Sequence, residues 1–128
     1  MQNFQFVPAT RTQSKLRLAI FGPAGAGKTL TALRLAQGIV EETGGQIGGI
    51  DTENNTASKY SGVLEIPGLE GKEIKFSALN MLEPTVDNTV KAFGAGNGFD
   101  VLVIDSLSHS WKELLQEVDA LAKSKYRG

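Results

Sequence analysis

Apolar positions along the chain alternate between strand-like runs and helical spacing, and this order predicts an α/β fold. Short apolar runs that suit strands occur at 16–21, 46–50 and 99–105. Apolar residues at helical spacing follow the first run within 28–43 and the last run within 107–122. Strands that alternate with helices in this way are typical of a mostly parallel sheet with helices on both faces.

Glycine and proline residues indicate where two of the helices begin and end. The first helix is expected to start at about Lys28 and to stop near Thr43, because Gly44-Gly45 follows. Pro84 is expected to open a further helix at its first turn. That helix would place Val86, Val90 and Phe93 on one face and end in the glycine-rich stretch 94–98.

Two segments leave the arrangement of strands open. Within 61–83, the stretches Val63–Ile66 and Glu73–Phe76 have the composition of short strands, and either a hairpin or a strand with a loop fits. Residues 1–14 fit a short edge strand or a flexible lead-in. The expected domain division is therefore a lead-in at 1–14 and a core at 15–128.

Length and composition favour one cytoplasmic domain and exclude several kinds of site. The 128 residues allow a modest core, and 41% hydrophobic with 21% charged residues is ordinary for a globular chain. The absence of cysteine excludes disulfides and thiolate metal sites, and one histidine cannot form a histidine-rich site. The net charge of −1 gives no global electrostatic case for nucleic acid or an anionic membrane. No apolar run approaches the roughly 20 residues of a membrane span, and no signal peptide is indicated.

Residues 22–29 carry the phosphate-binding motif G-x-x-x-x-G-K-S/T (Walker A), which ends in Lys28 and Thr29. Glycines let backbone N–H groups approach phosphate oxygens, and the helix start adds the positive end of its dipole. Lys28 can reach the β- and γ-phosphates, and the Thr29 hydroxyl can ligate Mg²⁺. A glycine-rich turn in an unrelated α/β domain is the alternative, but the flanking strand and helix favour the phosphate loop. The candidate nucleotide-binding residues are Gly22, Pro23, Ala24, Gly25, Ala26, Gly27, Lys28, Thr29 and Leu30.

A polar run, 51–55, follows the second expected strand. In open α/β sheets, ligands bind at the carboxyl ends of the strands. Glu53 is the candidate catalytic residue there, because a carboxylate beside a phosphate loop could polarise an attacking water. The alternative is that Asp51 or Glu53 caps a short helix at 56–60.

The apolar run Val101–Ile104 suits a central strand buried on both faces, and it ends at Asp105. An acid at this position is the second Mg²⁺-site group of phosphate-loop proteins and acts through a coordinated water, so Asp105 would pair with Thr29. The alternative is a buried strand whose final aspartate caps the next helix.

The segment after Asp105 carries further candidates. Ser110 and Glu113 have capping-box spacing, and an earlier serine could also start the last helix. His109 could sense the γ-phosphate or could be a hydrogen-bonded structural residue. Trp111 is expected to pack in the core or against a partner.

Three segments together resemble the core of RecA-like ATPases, and especially the phage-type AAA/RecA-like ATP-binding proteins linked to single-strand annealing and recombination. They are the phosphate loop at 22–29, Ile50–Glu53 and Ile104–Trp111. The resemblance implies that Asp105 is the Walker B acid and that Glu53 is the carboxylate that activates water. It implies ATP and Mg²⁺ as cofactors. It also implies single-stranded DNA, a recombination or single-strand-binding protein, and further copies of the chain as partners, with no membrane.

RecA-like cores place another strand, later in sequence, between the phosphate-loop strand and the strand that ends at the Walker B acid. No such strand follows Asp105, so the expected fold is a three-layer α/β/α P-loop NTPase core that is incomplete at its C-terminus, an N-terminal fragment. A missing strand would leave unpaired backbone groups and an open edge. Full ATP turnover and DNA binding are then not assured by these 128 residues alone.

Three other functions are alternatives to ATP hydrolysis in recombination. A small-molecule phosphate-loop kinase would need an arginine-bearing lid and an acceptor pocket, and the sequence indicates neither. A GTPase would need an Asn-Lys-x-Asp segment to bind guanine, and the chain has none. A non-catalytic nucleotide-binding module that assembles with a partner stays open.

Overall fold

The computed structural model describes Gln2 and residues 4–10, 15–23 and 25–126. The described chain contains helices together with a parallel sheet, and the α/β class is confirmed. The elements are α1 (Lys28–Thr43), β1 (Ile47–Asp51), β2 (Gly62–Val63), β3 (Glu73–Ile74), β4 (Ser77–Asn80), α2 (Val86–Ala95), β5 (Val101–Asp105) and α3 (Ser108–Tyr126). Single 3₁₀ turns lie at Ala57–Tyr60 and Gly96–Gly98.

The main sheet has three parallel strands in the order β4-β1-β5. Asp51 lies opposite Asn80 on one side and opposite Asp105 on the other, so the carboxyl ends of all three strands meet at one edge. Strands β2 and β3 form a separate antiparallel hairpin, one of the two arrangements expected for this segment. The mostly parallel sheet is therefore confirmed, and its carboxyl edge is the place to look for a site.

Helix α1 has the predicted limits, and its ends show why. Gly27 precedes it with φ 87°, and Gly44 follows it with φ 74°, a left-handed conformation that glycine adopts without steric cost. The Gly44 N–H donates to the Val40 carbonyl at 2.7 Å and closes the last turn. Leu33, Ala36 and Val40 form the buried stripe that faces the sheet.

Apolar clusters cover both faces of the sheet because strand residues alternate in direction. On one face, Ile47 of β1 packs with Ala36 and Val40 of α1. On the other face, Ile50 packs with Ala92 of α2 and with Met81. The helices α1 and α2 thus lie on opposite faces, as a three-layer arrangement requires.

The strand expected at 16–21 is wrong. Residues 15–23 form no strand, and the side chains of Leu16, Leu18 and Phe21 are 72%, 61% and 90% exposed. A strand needs a neighbour for its N–H and C=O groups, and no described strand pairs with the free side of β5. For the same reason β5 is a half-buried edge strand and not the fully buried central strand that its apolar run predicts.

Several smaller expectations are also corrected. Pro84 precedes the helix α2, because Thr85 is its N-cap and accepts a hydrogen bond from the Asn88 N–H. Of the residues expected on one face of this helix, Val90 and Phe93 are 65% and 41% exposed, and Ala92 is the buried residue of α2. The strand β4 was not predicted, since the expected strand ended at Phe76. Residues 4–10 form no edge strand, while 11–14 lie outside the described residues.

Helix α3 begins at Ser108, so the capping-box start at Ser110 is wrong. The Ser110 hydroxyl instead lies 2.9 Å from that of Thr89 and joins α3 to α2. Trp111 is 60% exposed and its apolar neighbours along the helix are similarly open, so this face is not packed in the core of the described chain. No helix among the described residues is long and apolar enough to cross a membrane.

The two central glycines of β1 make room for aromatic rings, which gives a stability prediction. A Cβ at Gly48 would lie 2.7 Å from the Phe99 ring, whereas a Cβ at Gly38, on the exposed side of α1, would meet nothing within 4 Å. We expect Gly48→Ala to lower the free energy of unfolding by about 1–3 kcal/mol through overpacking. Gly38→Ala should raise it by about 0.5–1 kcal/mol, because alanine favours the helix. Urea denaturation of both variants checks this, and equal stabilities would contradict it.

Candidate functional site

The candidate site lies where the loop before α1 meets the carboxyl ends of β1 and β5. The backbone of the loop is held in an open turn. The Ala26 N–H donates to the Pro23 carbonyl at 3.2 Å, and Gly25 has φ 79°. A Cβ at Gly25 or Gly27 would meet nothing within 4 Å among the described residues, so the loop borders open space. Ala24, a predicted nucleotide-binding residue, lies outside the described residues.

The first turn of α1 supplies donors to this loop. The Thr31 N–H donates to the Gly27 carbonyl at 3.0 Å, which is the first bond of the helix ladder. The N–H groups of Lys28, Thr29 and Leu30 precede that bond and therefore have no acceptor one turn earlier in the helix. Such a cluster of N–H groups at the positive end of a helix is suited to an anion.

Lys28 turns its ammonium back over the loop. Its Nζ donates to the carbonyls of Gly22 and Pro23, the second at 3.0 Å. The positive charge therefore lies at the mouth of the turn that its own motif forms. A phosphate bound in the loop would meet this ammonium together with the helix N–H groups.

Thr29 and Asp105 are 76 positions apart in sequence and in direct contact in the structure. The Thr29 hydroxyl donates to Asp105 Oδ2 at 2.6 Å in a partly buried environment. The contact arises because α1 packs on the sheet with its first turn beside the end of β5. The peptide bond that follows Asp105 is cis.

The hydroxyl and carboxylate of this pair fit Mg²⁺, which prefers oxygen ligands and usually keeps few protein ligands when phosphate and water supply the rest. No group of three or more carboxylate or histidine side chains suited to a metal occurs in the described part of the chain. A cation here would consequently depend on Thr29, on Asp105 and on the oxygens of a bound phosphate.

Asp51 and Glu53 follow the same strand but do different things. Asp51 is 2% exposed, and its carboxylate accepts hydrogen bonds from the Glu53 N–H at 2.7 Å and the Ala57 N–H at 3.0 Å. Asp51 therefore caps the 3₁₀ turn Ala57–Tyr60. The sequence allowed either Asp51 or Glu53 to have this capping role. The Glu53 carboxylate takes no part in that cap.

Removal of the Asp51 carboxylate should destabilise the fold. Asp51→Ala would leave two backbone N–H groups without their acceptor in a buried place, and we expect the free energy of unfolding to fall by about 2–4 kcal/mol. Asp51→Asn keeps one acceptor oxygen but sets its NH₂ donor against the other backbone N–H, so it should recover only part of that loss. Thermal and urea unfolding measure both values. An Asp51→Ala protein as stable as the parent chain would contradict the capping role.

The Glu53 side chain points toward the segment after β5. Its Oε1 accepts from the Ser106 hydroxyl at 3.0 Å and lies 3.2 Å from His109 Nε2. The side chain is 40% exposed, so solvent reaches it. The structure thus brings Glu53 to the same sheet edge as Asp105, two residues beyond the end of the neighbouring strand β1.

Thr52 is a site residue that the sequence did not single out. Its N–H donates to the Asp105 carbonyl at 2.8 Å, and its hydroxyl accepts from the Ser106 N–H at 2.9 Å. These bonds fix the end of β1 to the end of β5 and so set the position of Glu53 relative to Asp105. From the sequence, Ser106 is only one of the earlier serines that could start the last helix. No spacing rule identifies its contact with Glu53.

Comparison with known protein families covers all the residues of the candidate site. The AAA domain family matches residues 14–128, which include the phosphate loop, Glu53 and Asp105. No curated protein and no solved structure matches the chain. Nucleotide binding, ATPase-type activity at a general level and the use of Mg²⁺ are properties that this family implies. The chain therefore belongs to the AAA domain family, an ATPase-type family with a phosphate loop.

Proposed function

We propose that the protein binds ATP with Mg²⁺ and hydrolyses it: water attacks the γ-phosphorus, the bond to the β–γ bridging oxygen breaks, and ADP and inorganic phosphate leave. The observation that carries the proposal is the 2.6 Å contact between the Thr29 hydroxyl and the Asp105 carboxylate, beside the open loop and the first turn of α1. This hydroxyl and this carboxylate come from distant parts of the sequence, and they meet at the position where the phosphate-loop motif predicts a Mg²⁺ site. A helix cap by Asp105 would not require this contact.

Each residue of the site has a part in the proposed reaction. The N–H groups of the first turn of α1 and the Lys28 ammonium bind and orient the phosphates. Thr29 and Asp105 would hold the cation. A bound Mg²⁺ supplies charge neutralisation on the phosphate oxygens. Glu53, from the end of β1, orients the attacking water and accepts its proton.

A role for this turnover in DNA recombination or annealing rests on the resemblance of three segments to phage-type RecA-like proteins. The net charge of −1 gives no general attraction to DNA, so contact with a single strand would depend on a local surface or on an assembly of copies. We expect single-stranded DNA to stimulate phosphate release. Equal rates with and without DNA would limit the function to DNA-independent ATP hydrolysis.

A non-catalytic nucleotide-binding assembly module is the second candidate. The observation that favours it is the exposed apolar face of α3 beside Trp111, together with the unpaired side of β5 in the described chain. In that case ATP binding would stabilise an assembly without being consumed.

Two measurements on the intact protein separate the candidates. Calorimetric titration with ATP and Mg²⁺ measures binding, and release of inorganic phosphate measures turnover. Binding together with Mg²⁺-dependent phosphate release supports the ATPase. Binding without release supports the assembly module. The absence of both contradicts the phosphate-loop assignment.

A further inference from the structure

Three side chains from different elements meet at one oxygen of Glu53. Glu53 follows β1, Ser106 follows β5, and His109 lies in the first turn of α3. Glu53 Oε1 lies 3.0 Å from the Ser106 hydroxyl and 3.2 Å from His109 Nε2. The His109 and Glu53 side chains are 43% and 40% exposed, so the cluster lies at the rim of the site.

The chemistry of the cluster fixes the direction of its hydrogen bonds. An ionised carboxylate only accepts, so the Ser106 hydroxyl donates and His109 must carry its proton on Nε2. This holds for the neutral and for the charged imidazole alike. Both donors act on Oε1. No described residue forms a hydrogen bond with Oε2, which is thus the oxygen left for a water molecule.

We propose that His109 is a positioning residue for Glu53, and that with Ser106 it holds Oε1 so that Oε2 faces the attacking water. The inference rests on the proposed function, in which Glu53 orients that water. A half-exposed glutamate that lacks such partners samples several rotamers, so its carboxylate has no fixed orientation. Two donors on one oxygen select a single orientation before ATP binds.

His109 is a better test of this role than Ser106. Ser106 is adjacent to Asp105, and its backbone N–H and carbonyl are hydrogen-bonded to the Thr52 hydroxyl, so a substitution that shifts its backbone would also disturb the proposed cation site. His109 comes from α3, and its side chain is hydrogen-bonded to Glu53 and not to a residue of the proposed cation site in the described chain.

The kinetic test uses His109→Ala and His109→Gln in the intact protein, with Lys112→Ala, an exposed residue of the same helix, as the matched control. We expect His109→Ala to lower kcat about tenfold with ATP affinity unchanged, since one of two orienting bonds is lost. His109→Gln keeps an N–H donor and should recover most of that loss. Equal kcat for His109→Ala and wild type, or no recovery by glutamine, would overturn the proposal.

A second comparison shows whether His109 acts through Glu53. In a Glu53→Gln background, His109→Ala should cause no further loss of turnover, because the group that it positions has gone. An equal tenfold loss in both backgrounds would overturn the proposal. Wild-type turnover in Glu53→Gln alone is a different result, since it would remove Glu53 from the reaction and contradict the proposed function itself.

The contact can also be tested without turnover. His109 is the single histidine of the chain, so its imidazole signals in nuclear magnetic resonance spectra need no assignment by mutation. We expect Glu53→Gln to shift these signals and Glu117→Gln, an exposed change on the same helix, to leave them in place. Unchanged imidazole signals in Glu53→Gln would overturn the proposal even if turnover is slow.

Discussion

Glu53→Gln is expected to slow ATP turnover by about 10²–10⁴-fold and to leave ATP affinity within about twofold of wild type. The amide keeps the size of the side chain and can still contact Ser106, but it cannot accept a proton from water. Phosphate release under saturating ATP and calorimetric titration measure the two quantities.

Glu117→Gln is the matched control for that change, because it makes the same chemical substitution in an exposed carboxylate of α3, about two turns away from His109. Its turnover should equal that of the wild type. If Glu53→Gln turns over at the wild-type rate, the role of Glu53 is structural and the proposed mechanism is wrong.

Lys28→Ala is expected to weaken ATP binding by about 10- to 100-fold. The Lys28 ammonium lies over the mouth of the loop in contact with two of its carbonyls, and a charge-assisted hydrogen bond to phosphate contributes about 1.5–3 kcal/mol. Equilibrium titration with ATP measures the loss.

Lys72→Ala, in the exposed loop of the β2–β3 hairpin, is the control for removal of a positive charge and should bind ATP as the wild type does. Equal affinity in Lys28→Ala and wild type would contradict the phosphate-loop assignment. A loss of folding is a separate outcome, and circular dichroism distinguishes it.

Much of the candidate site could be predicted, because its residues lie at the ends of strands and helices that follow one another in a regular α/β order. The phosphate-loop motif places Thr29 at a helix start, and an apolar run places Asp105 at the end of a strand. Parallel strands bring such ends to one edge of the sheet, so their proximity follows from order alone. The distance between Thr29 and Asp105 and the burial of the pair cannot be deduced from that order.

The features that could not be predicted from the sequence depend on which strands pair and on which rotamer each side chain adopts. Leu16, Leu18 and Phe21 have the composition of a strand, but a strand requires a neighbour that no local pattern guarantees. Asp51 and Glu53 are two residues apart and chemically alike, and only the direction of each side chain separates the cap from the candidate catalytic group. The contact of His109 with Glu53 joins residues 56 positions apart and has no sequence signature.

The central claim is that Thr29 and Asp105 share a cation bound with a nucleotide. The Mg²⁺ dependence of ATP affinity in Thr29→Val tests it most directly, because valine keeps the shape of threonine and removes the ligand oxygen. We expect Mg²⁺ to tighten ATP binding at least about tenfold in wild type and to have little effect in Thr29→Val. The same tightening by Mg²⁺ in both proteins would contradict the claim.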